Sequence, residues 1–143
     1  MIKPSIFTIQ GQGQQSSVSL LSPTLLPNAG HFLWNAHMMI QTNCRGYAVS
    51  QFMQPEPAKY SFAPNIEAKT FMQPEHPYYA HHPGRFVYVK DNANGSLFSG
   101  PYEPVRVELD RFEFIPEPHQ ITWLSEFNQI RLTLCLRLPT ETA

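Results

Sequence analysis

The end of the chain carries its most regular hydrophobic pattern. In the run IRLTLCLRL, aliphatic residues from Ile130 to Leu138 alternate with polar or charged residues over nine positions. Because successive side chains of a strand point to opposite faces, this period of two predicts a β-strand with one face toward water. The preceding run QITWLSEF is also of strand length, and the turn Asn128-Gln129 separates the two runs. The pattern therefore predicts a β-hairpin.

Two further strand patterns lie just upstream. The segment FVYVKDNANGSLFSG predicts strands at 86–90 and 96–99, joined by a turn at Asn94-Gly95, where positive φ is easily adopted. In VRVELDRFEFI the apolar residues change parity, with Val105, Val107 and Leu109 on one side and Phe112 and Phe114 on the other. This change predicts a strand over 105–115 with a bulge or twist near Asp110.

The first half of the chain is less regular. The runs FLWNAHMMIQ (32–41) and YAVSQFM (47–53) predict two strands, separated by TNCRG with its turn-forming Asn and Gly. Residues 54–84 are rich in proline and aromatic residues, which predicts a long ordered loop. Residues 10–31 are rich in Gln, Ser, Gly and Pro and predict a linker or surface arm that contributes nothing to a core.

No stretch of ten residues shows helical periodicity, so the predicted fold class is all-β, an antiparallel β-sandwich. We divide the chain into an N-terminal arm or linker over 1–31 and a β-sandwich domain over 32–143. The length of 143 residues suits one domain, or part of one.

Charge and hydropathy narrow the class of partner. The formal net charge is -1, with ten basic and eleven acidic residues and no basic cluster, so we expect no nucleic-acid partner. No apolar run approaches the ~18 residues that span a bilayer, and the N-terminus lacks the apolar segment of a signal peptide. We therefore expect a cytoplasmic protein without a membrane partner. Cys44 and Cys135 are far apart in sequence and are expected to be buried or half-buried free thiols.

The surface composition indicates an interface. Charged residues make up 15% of the chain, against about 25% in an average domain, while aromatic residues reach 13%. A surface that is poor in charge and rich in aromatic residues is typical of a large protein–protein contact. We infer that another protein surface covers this chain.

The segment FMQPEHPYYAHHPGR concentrates the candidate chemistry. His76, His81 and His82 lie within seven positions, which suggests a zinc site, a loop at a sugar cleft or dimer contact, or ordinary packing. Adjacent histidines point apart in an extended chain, so we favour no metal and no cofactor. The five residues FMQPE also occur at 52–56, but two copies do not make a repeat protein.

Aromatic and arginine side chains supply other candidates for a saccharide site. The predicted substrate-binding residues are Tyr78, Tyr79, His81, His82, Arg85 and Tyr102. Aromatic rings can stack on the apolar faces of sugar rings, whereas Trp34 and Trp123 lie within strand patterns and are expected in the core. Arg45 and Arg85 adjoin glycines and could hold a sugar hydroxyl or pair with Glu56, Glu67 or Glu75. The acidic residues of the hairpins, including Glu103, are expected to be solvated, and no catalytic residue is predicted.

The run GRFVYVKDNANGSLFSGPYEPVRVELDRFEFIPEPHQITWLSEFNQIRLTLCLRLP resembles the N-terminal β-sandwich of glycoside hydrolase family 94, the inverting oligosaccharide phosphorylases. The upstream run CRGYAVSQFMQPEPAKYSFAPNIEAKTFMQPEHPYYAHHPGRF resembles the branch that acts on 1,2-β-oligoglucans such as sophorose. The resemblance covers about residues 32–139. It implies a supersandwich-like domain, incomplete in this chain, that takes part in dimerisation and approaches an active site.

The resemblance also implies what the chain lacks. Family members carry the general acid and the phosphate-binding residues on a following (α/α)6 barrel, and no helical segment is predicted here. We therefore expect a non-catalytic scaffold portion whose partners are the remainder of a phosphorylase, a second copy and a β-glucooligosaccharide. Two alternatives stay open: a free-standing carbohydrate-binding protein and a metal-dependent enzyme that uses the histidine-rich loop.

Overall fold

The structure is a computed structural model that describes residues 5–13, 16–52, 58–59 and 84–140. All secondary-structure elements among these residues are β-strands, and all of their pairings are antiparallel. The strands are β1 (Phe7–Gln10), β2 (Ser17–Leu20), β3 (Gly30–Trp34), β4 (Met38–Asn43), β5 (Ala48–Phe52), β6 (Ala58–Lys59), β7 (Val87–Lys90), β8 (Leu97–Gly100), β9 (Arg111–Pro116), β10 (Gln120–Phe127) and β11 (Ile130–Arg137). The predicted all-β, antiparallel fold class is confirmed.

The largest sheet has five strands in the order β1-β2-β9-β10-β11. The β10–β11 hairpin closes through Asn128 and Gln129, whose φ angles of 49° and 65° suit a two-residue turn that matches the twist of the strands. Along β11 the aliphatic side chains are half-buried and the intervening residues are exposed. The hairpin and the face assignment predicted from the sequence are both confirmed.

A second sheet has the order β3-β4-β5-β6. The run FLWNAHMMIQ, predicted as one strand, forms two strands that reverse at Asn35. The Oδ1 atom of Asn35 accepts hydrogen bonds from the backbone N–H groups of His37 and Met38, both at 2.8 Å. Such an Asn side chain stabilises a tight turn, so the single-strand prediction was wrong.

The two larger sheets enclose one hydrophobic core. Its buried members come from β2, β3, β4, β9 and β10 together with Cys44 and Leu138; the strand residues are Leu20, Leu33, Ile40, Phe112, Phe114, Ile121 and Trp123. The indole Nε1 of Trp123 donates a hydrogen bond of 3.3 Å to the carbonyl oxygen of Asn43, which joins the sheets across this core. The arrangement is that of a β-sandwich.

The outer residues of β3 face water. Leu33 is completely buried, whereas the side chain of Trp34, its neighbour in the strand, is 59% exposed. Because neighbouring residues of a strand point to opposite faces, only one of the two can reach the core. The prediction that Trp34 is a core residue was wrong, while that for Trp123 is confirmed.

Residues 10–31 contribute to the fold, contrary to prediction. Strand β2 pairs with both β1 and β9, and Leu20 is 5% exposed within the core. The short SVSL segment alternates correctly for a strand, but its polar surroundings hid this signal. The division of the chain at residue 31 stays a prediction.

The segment before β9 also differs from its prediction. A strand was expected over 105–115, but β9 begins only at Arg111. Arg106 has a φ of 59°, a left-handed conformation that interrupts an extended chain. The predicted β7–β8 hairpin is present, with Asn94 and Gly95 in its connecting turn and a φ of 75° at Gly95.

Candidate functional site

The predicted saccharide residues divide into two groups. Tyr78, Tyr79, His81 and His82 lie outside the described residues, as do His76 and most of both FMQPE copies. Arg85 and Tyr102 are described. The backbone N–H of Arg85 donates to the carbonyl oxygen of Gly46 at 2.9 Å, and Tyr102 lies near Arg45, so both adjoin the turn between β4 and β5. The role assigned to these residues stays a prediction.

A buried ion pair occupies the centre of this region. Arg45 and Glu103 are 3% and 2% exposed, and the guanidinium Nη1 lies 3.1 Å from the carboxylate Oε1. The Nε of Arg45 donates to the carbonyl oxygen of Pro23 at 2.9 Å. Its guanidinium also lies 5.3 Å from the centre of the Tyr102 ring, within the range of a cation–π contact.

Sequence reasoning missed this pair. It placed Glu103 among the solvated acids and offered other glutamates as partners for Arg45. Glu103 is instead fully enclosed, on a segment whose peptide bonds before Pro101 and Pro104 are cis. Buried carboxylates are normally paired with a positive charge. The burial of Glu103 within PYEP could therefore have been predicted only if Arg45 had been known to lie beside it.

Glu103 also binds a second arginine. Its Oε2 accepts a hydrogen bond of 2.7 Å from Nε of Arg106, whose side chain is 45% exposed. The hydroxyl of Tyr47 is hydrogen-bonded to Arg106 as well. Glu103 thus bridges one buried and one partly exposed guanidinium.

Burial controls the ionisation of Tyr47. Desolvation, reinforced by the nearby carboxylate of Glu103, raises the pKa of Tyr47 to about 12. The tyrosine is only 5% exposed, so the folded state favours the neutral phenol. An unfolded tyrosine ionises near pH 10, and folding is therefore linked to pH in the alkaline range.

We expect alkaline pH to destabilise the chain through Tyr47. Stability is unaffected by this group below pH ~10 and falls as pH rises from ~10 to ~12, because the unfolded state loses the proton first. At pH 11 the loss of unfolding free energy from Tyr47 is about 1.4 kcal/mol. Urea unfolding at pH 8 and pH 11 should show a smaller decrease for Tyr47→Phe than for the original chain. Tyr88→Phe, at a 60% exposed position, should leave the decrease unchanged; equal decreases in all three proteins would refute the assignment.

The two cysteines occupy contrasting environments. Cys44 is completely buried, and desolvation raises its pKa to about 12. Cys135 is exposed on the polar face of β11, so its predicted burial was wrong. The strict alternation of β11 explains this position, since Cys135 shares the parity of Arg131 and Arg137.

We expect the thiols to react at very different rates. Because the thiolate is the nucleophile, a pKa of about 12 means that only about one Cys44 thiol in 10⁴ is ionised at pH 8. Alkylation with iodoacetamide followed by mass spectrometry should modify Cys135 within minutes and Cys44 only in urea. Cys135→Ser should abolish labelling of the folded chain. Rapid labelling of Cys44 in the folded Cys135→Ser variant would contradict its burial.

A polar cavity adjoins the ion-pair cluster. It has a volume of about 400 Å³ and lies between the chain that follows β2 and the chain that enters β9. Its lining comprises Leu21, Ser22, Pro23, Thr24, Tyr102, Arg106, Glu108, Leu109, Asp110, Arg111 and Phe112. Of the two predicted saccharide residues that the structure describes, Tyr102 lines this cavity and Arg85 does not.

Two features are absent from the residues that the structure describes. No cluster of three or more His, Cys, Asp or Glu side chains suited to a metal ion occurs within 5–13, 16–52, 58–59 and 84–140. Among those same residues there is no helix long and apolar enough to cross a membrane.

The sequence is similar to one part of a longer known protein. Over 122 residues, 85% of this chain, the sequence is 60% identical to the N-terminal part of the cellobionic acid phosphorylase of Neurospora crassa. The chain spans 15% of the length of that protein. No family model matches the sequence.

This similarity supports the resemblance to a family 94 phosphorylase domain in its general form. It does not extend to the branch that acts on sophorose, because the relative is named for cellobionic acid. The match to a small fraction of a phosphorylase supports the interpretation of this chain as a non-catalytic portion of a phosphorylase-like enzyme.

Proposed function

We propose that this chain is the N-terminal sandwich portion of an inverting oligosaccharide phosphorylase, and that it supports an active site carried by other sequence. The observation that carries the proposal is the 60% identity to one end of a phosphorylase, combined with an all-β fold. Alone, the chain is expected to catalyse no phosphorolysis. The cytoplasmic location expected from the sequence is part of the same proposal.

An uncovered apolar surface supports the scaffold role. Ile9 of β1 lies directly opposite Val18 of β2, and Phe7 lies opposite the core residue Leu20, so these side chains share the core-facing side of the sheet. Ile9, Phe7 and Val18 are nevertheless 62%, 51% and 42% exposed. Burying such a surface is favourable at about 25 cal/mol per Å². We propose that the remainder of a phosphorylase, or a second copy, covers it.

The name of the relative supports a proposal for the substrate class. We propose that the complete enzyme acts on a β-linked glucose disaccharide or oligosaccharide. Cellobionic acid, which the name of the relative specifies, is favoured over sophorose, which the sequence resemblance suggested. Comparing phosphorolysis of the two compounds would decide between them.

A domain graft tests the scaffold proposal. The segment of the Neurospora crassa phosphorylase that matches this chain would be replaced by the 143-residue sequence. Release of glucose 1-phosphate from cellobionic acid should continue in the graft, and should be absent both from the isolated chain and from the enzyme with the segment deleted.

A matched graft controls for folding. Grafting the Glu103→Ala chain, which lacks the acidic member of the buried ion pair with Arg45, should reduce the amount of folded, active enzyme. Either of two results would overturn the proposal: phosphorolysis by the isolated chain, or full activity of the enzyme from which the segment was deleted.

A further inference from the structure

The cavity beside β2 and β9 forms where two adjacent strands separate. These strands pair at Leu20 and Phe114. If the antiparallel register of Leu20 and Phe114 continued, Ser22 would lie opposite Phe112 and Thr24 would lie opposite Asp110. Instead the chain turns at Ser22, whose Oγ accepts the N–H groups of Thr24 and Leu25 at 3.2 Å. The resulting gap of about 400 Å³ falls within the range of small-ligand pockets, roughly 300–1,000 Å³.

Arg45 fixes both walls of this gap. From its buried position it donates to the carbonyl of Pro23 on one wall at 2.9 Å. Through Glu103 it also positions Arg106 on the other wall, where the Glu103 carboxylate accepts from both guanidinium groups. A cavity whose walls are tied together by a buried charged network is formed before any ligand arrives, and this lowers the entropic cost of binding.

The basic and acidic side chains that line the cavity are equal in number, and each lining arginine also pairs with a carboxylate outside the lining, Arg106 with Glu103 and Arg111 with Glu113. Arg106 and Arg111 contribute two positive charges, and Glu108 and Asp110 contribute two negative charges. A free anion would meet the carboxylates, and a cation would meet the guanidinium groups, so neither gains from the local field. A neutral molecule with many hydroxyl groups can instead donate to the carboxylates and accept from the arginines.

The remaining lining residues suit the apolar faces of a sugar ring. Leu21, Leu109 and Phe112 provide aliphatic and aromatic surface, and Tyr102 contributes a half-buried phenol ring held beneath the Arg45 guanidinium. Most small-ligand sites combine such apolar surface with a few well-placed polar groups. Strain is also present, because Arg106 adopts a left-handed conformation that is uncommon for residues with side chains.

We propose that this cavity is a binding site for a neutral saccharide, held by Tyr102, Arg106, Glu108 and Asp110. The site would let the non-catalytic portion retain part of a carbohydrate near the enzyme. The choice of a saccharide rests on the proposed function, whereas the cavity and its charge balance do not. A failure to bind saccharide at this cavity would therefore leave the proposed scaffold role unaffected.

Calorimetric titration of the 143-residue chain tests this site. Cellobiose and sophorose are the neutral probes, and cellobionic acid is the anionic probe of similar size. We expect saturable binding of a neutral disaccharide, with affinity reduced at least tenfold by Tyr102→Ala and by Glu108→Gln. Tyr88→Ala, which removes an exposed tyrosine of β7 outside the cavity, should leave the affinity unchanged.

Folding of each variant would be checked by circular dichroism and by amide chemical shifts in NMR spectra. In the original chain, adding the neutral disaccharide should shift the amides of Thr24 and Asp110. No saturable binding of either neutral disaccharide, or equal affinities for folded Tyr102→Ala and the original chain, would overturn the proposal. Binding of cellobionic acid at least tenfold more tightly than cellobiose would also overturn it, because that result defines an anion site. Activity of the domain graft separately reports on the scaffold role.

Discussion

Glu103→Ala is expected to lower the free energy of unfolding by about 3–5 kcal/mol, because it removes the acidic member of the buried Arg45–Glu103 ion pair. Arg45 is 3% exposed, so water cannot readily replace the lost contact. The substitution also removes the acceptor for Nε of Arg106. Urea unfolding followed by tryptophan fluorescence would measure the change, since Trp123 is 3% exposed within the core.

Three further variants separate charge from packing. Glu103→Gln keeps the volume and one acceptor oxygen, so it should lose less stability than Glu103→Ala but more than a surface variant. Arg45→Met combined with Glu103→Leu removes both charges and should be less destabilised than Glu103→Ala. Glu126→Ala breaks the ion pair with Arg131, whose side chain is 56% exposed, and should cost at most about 1 kcal/mol.

The comparison with Glu126→Ala decides the interpretation. If Glu103→Ala and Glu126→Ala destabilise the chain equally, the buried Arg45–Glu103 ion pair contributes no more to stability than the exposed pair of Glu126 and Arg131. If the double variant is the least stable of all, the hydrogen bond from Arg45 to Pro23 matters more than the ion pair. In the expected order, Glu103→Ala, which removes one member of the buried pair, is less stable than the double variant, which removes both, and Glu126→Ala is the most stable of the three.

Local sequence signals predicted the parts of the fold that are formed locally. The β10–β11 hairpin depends on a period of two and a two-residue turn, and both are visible within eighteen consecutive residues. The β7–β8 hairpin depends on Asn94 and Gly95 in the same way. In each case the residues that determine the structure are neighbours in the chain, so no knowledge of tertiary contacts was needed.

The failures share a different cause. The Asn35 turn lies between two apolar runs, whose combined pattern resembles one long strand. Leu20 gains its burial from β9, whose residues lie more than ninety positions later in the chain. Glu103 and Arg45 are 58 residues apart, so neither position indicates the other. Tertiary contacts determined these features, and no local pattern contained them.

The candidate site was predicted in the same limited way. Tyr102 was selected as an aromatic residue in a loop, and the structure places it at a cavity that could not be located from the sequence. The cavity arises from the separation of β2 and β9, which were not expected to be neighbours. Its polar lining combines residues from 22–24 and 102–111, and only the strand order of the sheet brings these two segments together.

Gly46→Ala is expected to destabilise the chain by about 2–5 kcal/mol, the sum of a backbone and a packing effect. Gly46 has a φ of 97°, which residues with a Cβ rarely adopt. A Cβ at this position would lie 2.7 Å from Cδ of Pro101 and 2.9 Å from the carbonyl oxygen of Arg85. The carbonyl belongs to the backbone and the proline ring is rigid, so neither can move aside cheaply.

Gly95→Ala is the matched control, because Gly95 also has a positive φ, of 75°, but an added Cβ would meet nothing within 4 Å. Its cost should be limited to the backbone effect, about 1–2 kcal/mol. The difference between the two variants in urea unfolding therefore measures the close approach of three segments at Gly46. This contact joins the β4–β5 turn to the segments at Arg85 and Pro101, and it lies beside the Arg45–Glu103 pair. Equal losses in the two variants would mean that these segments can separate freely, and the preformed walls of the cavity would then lack their support.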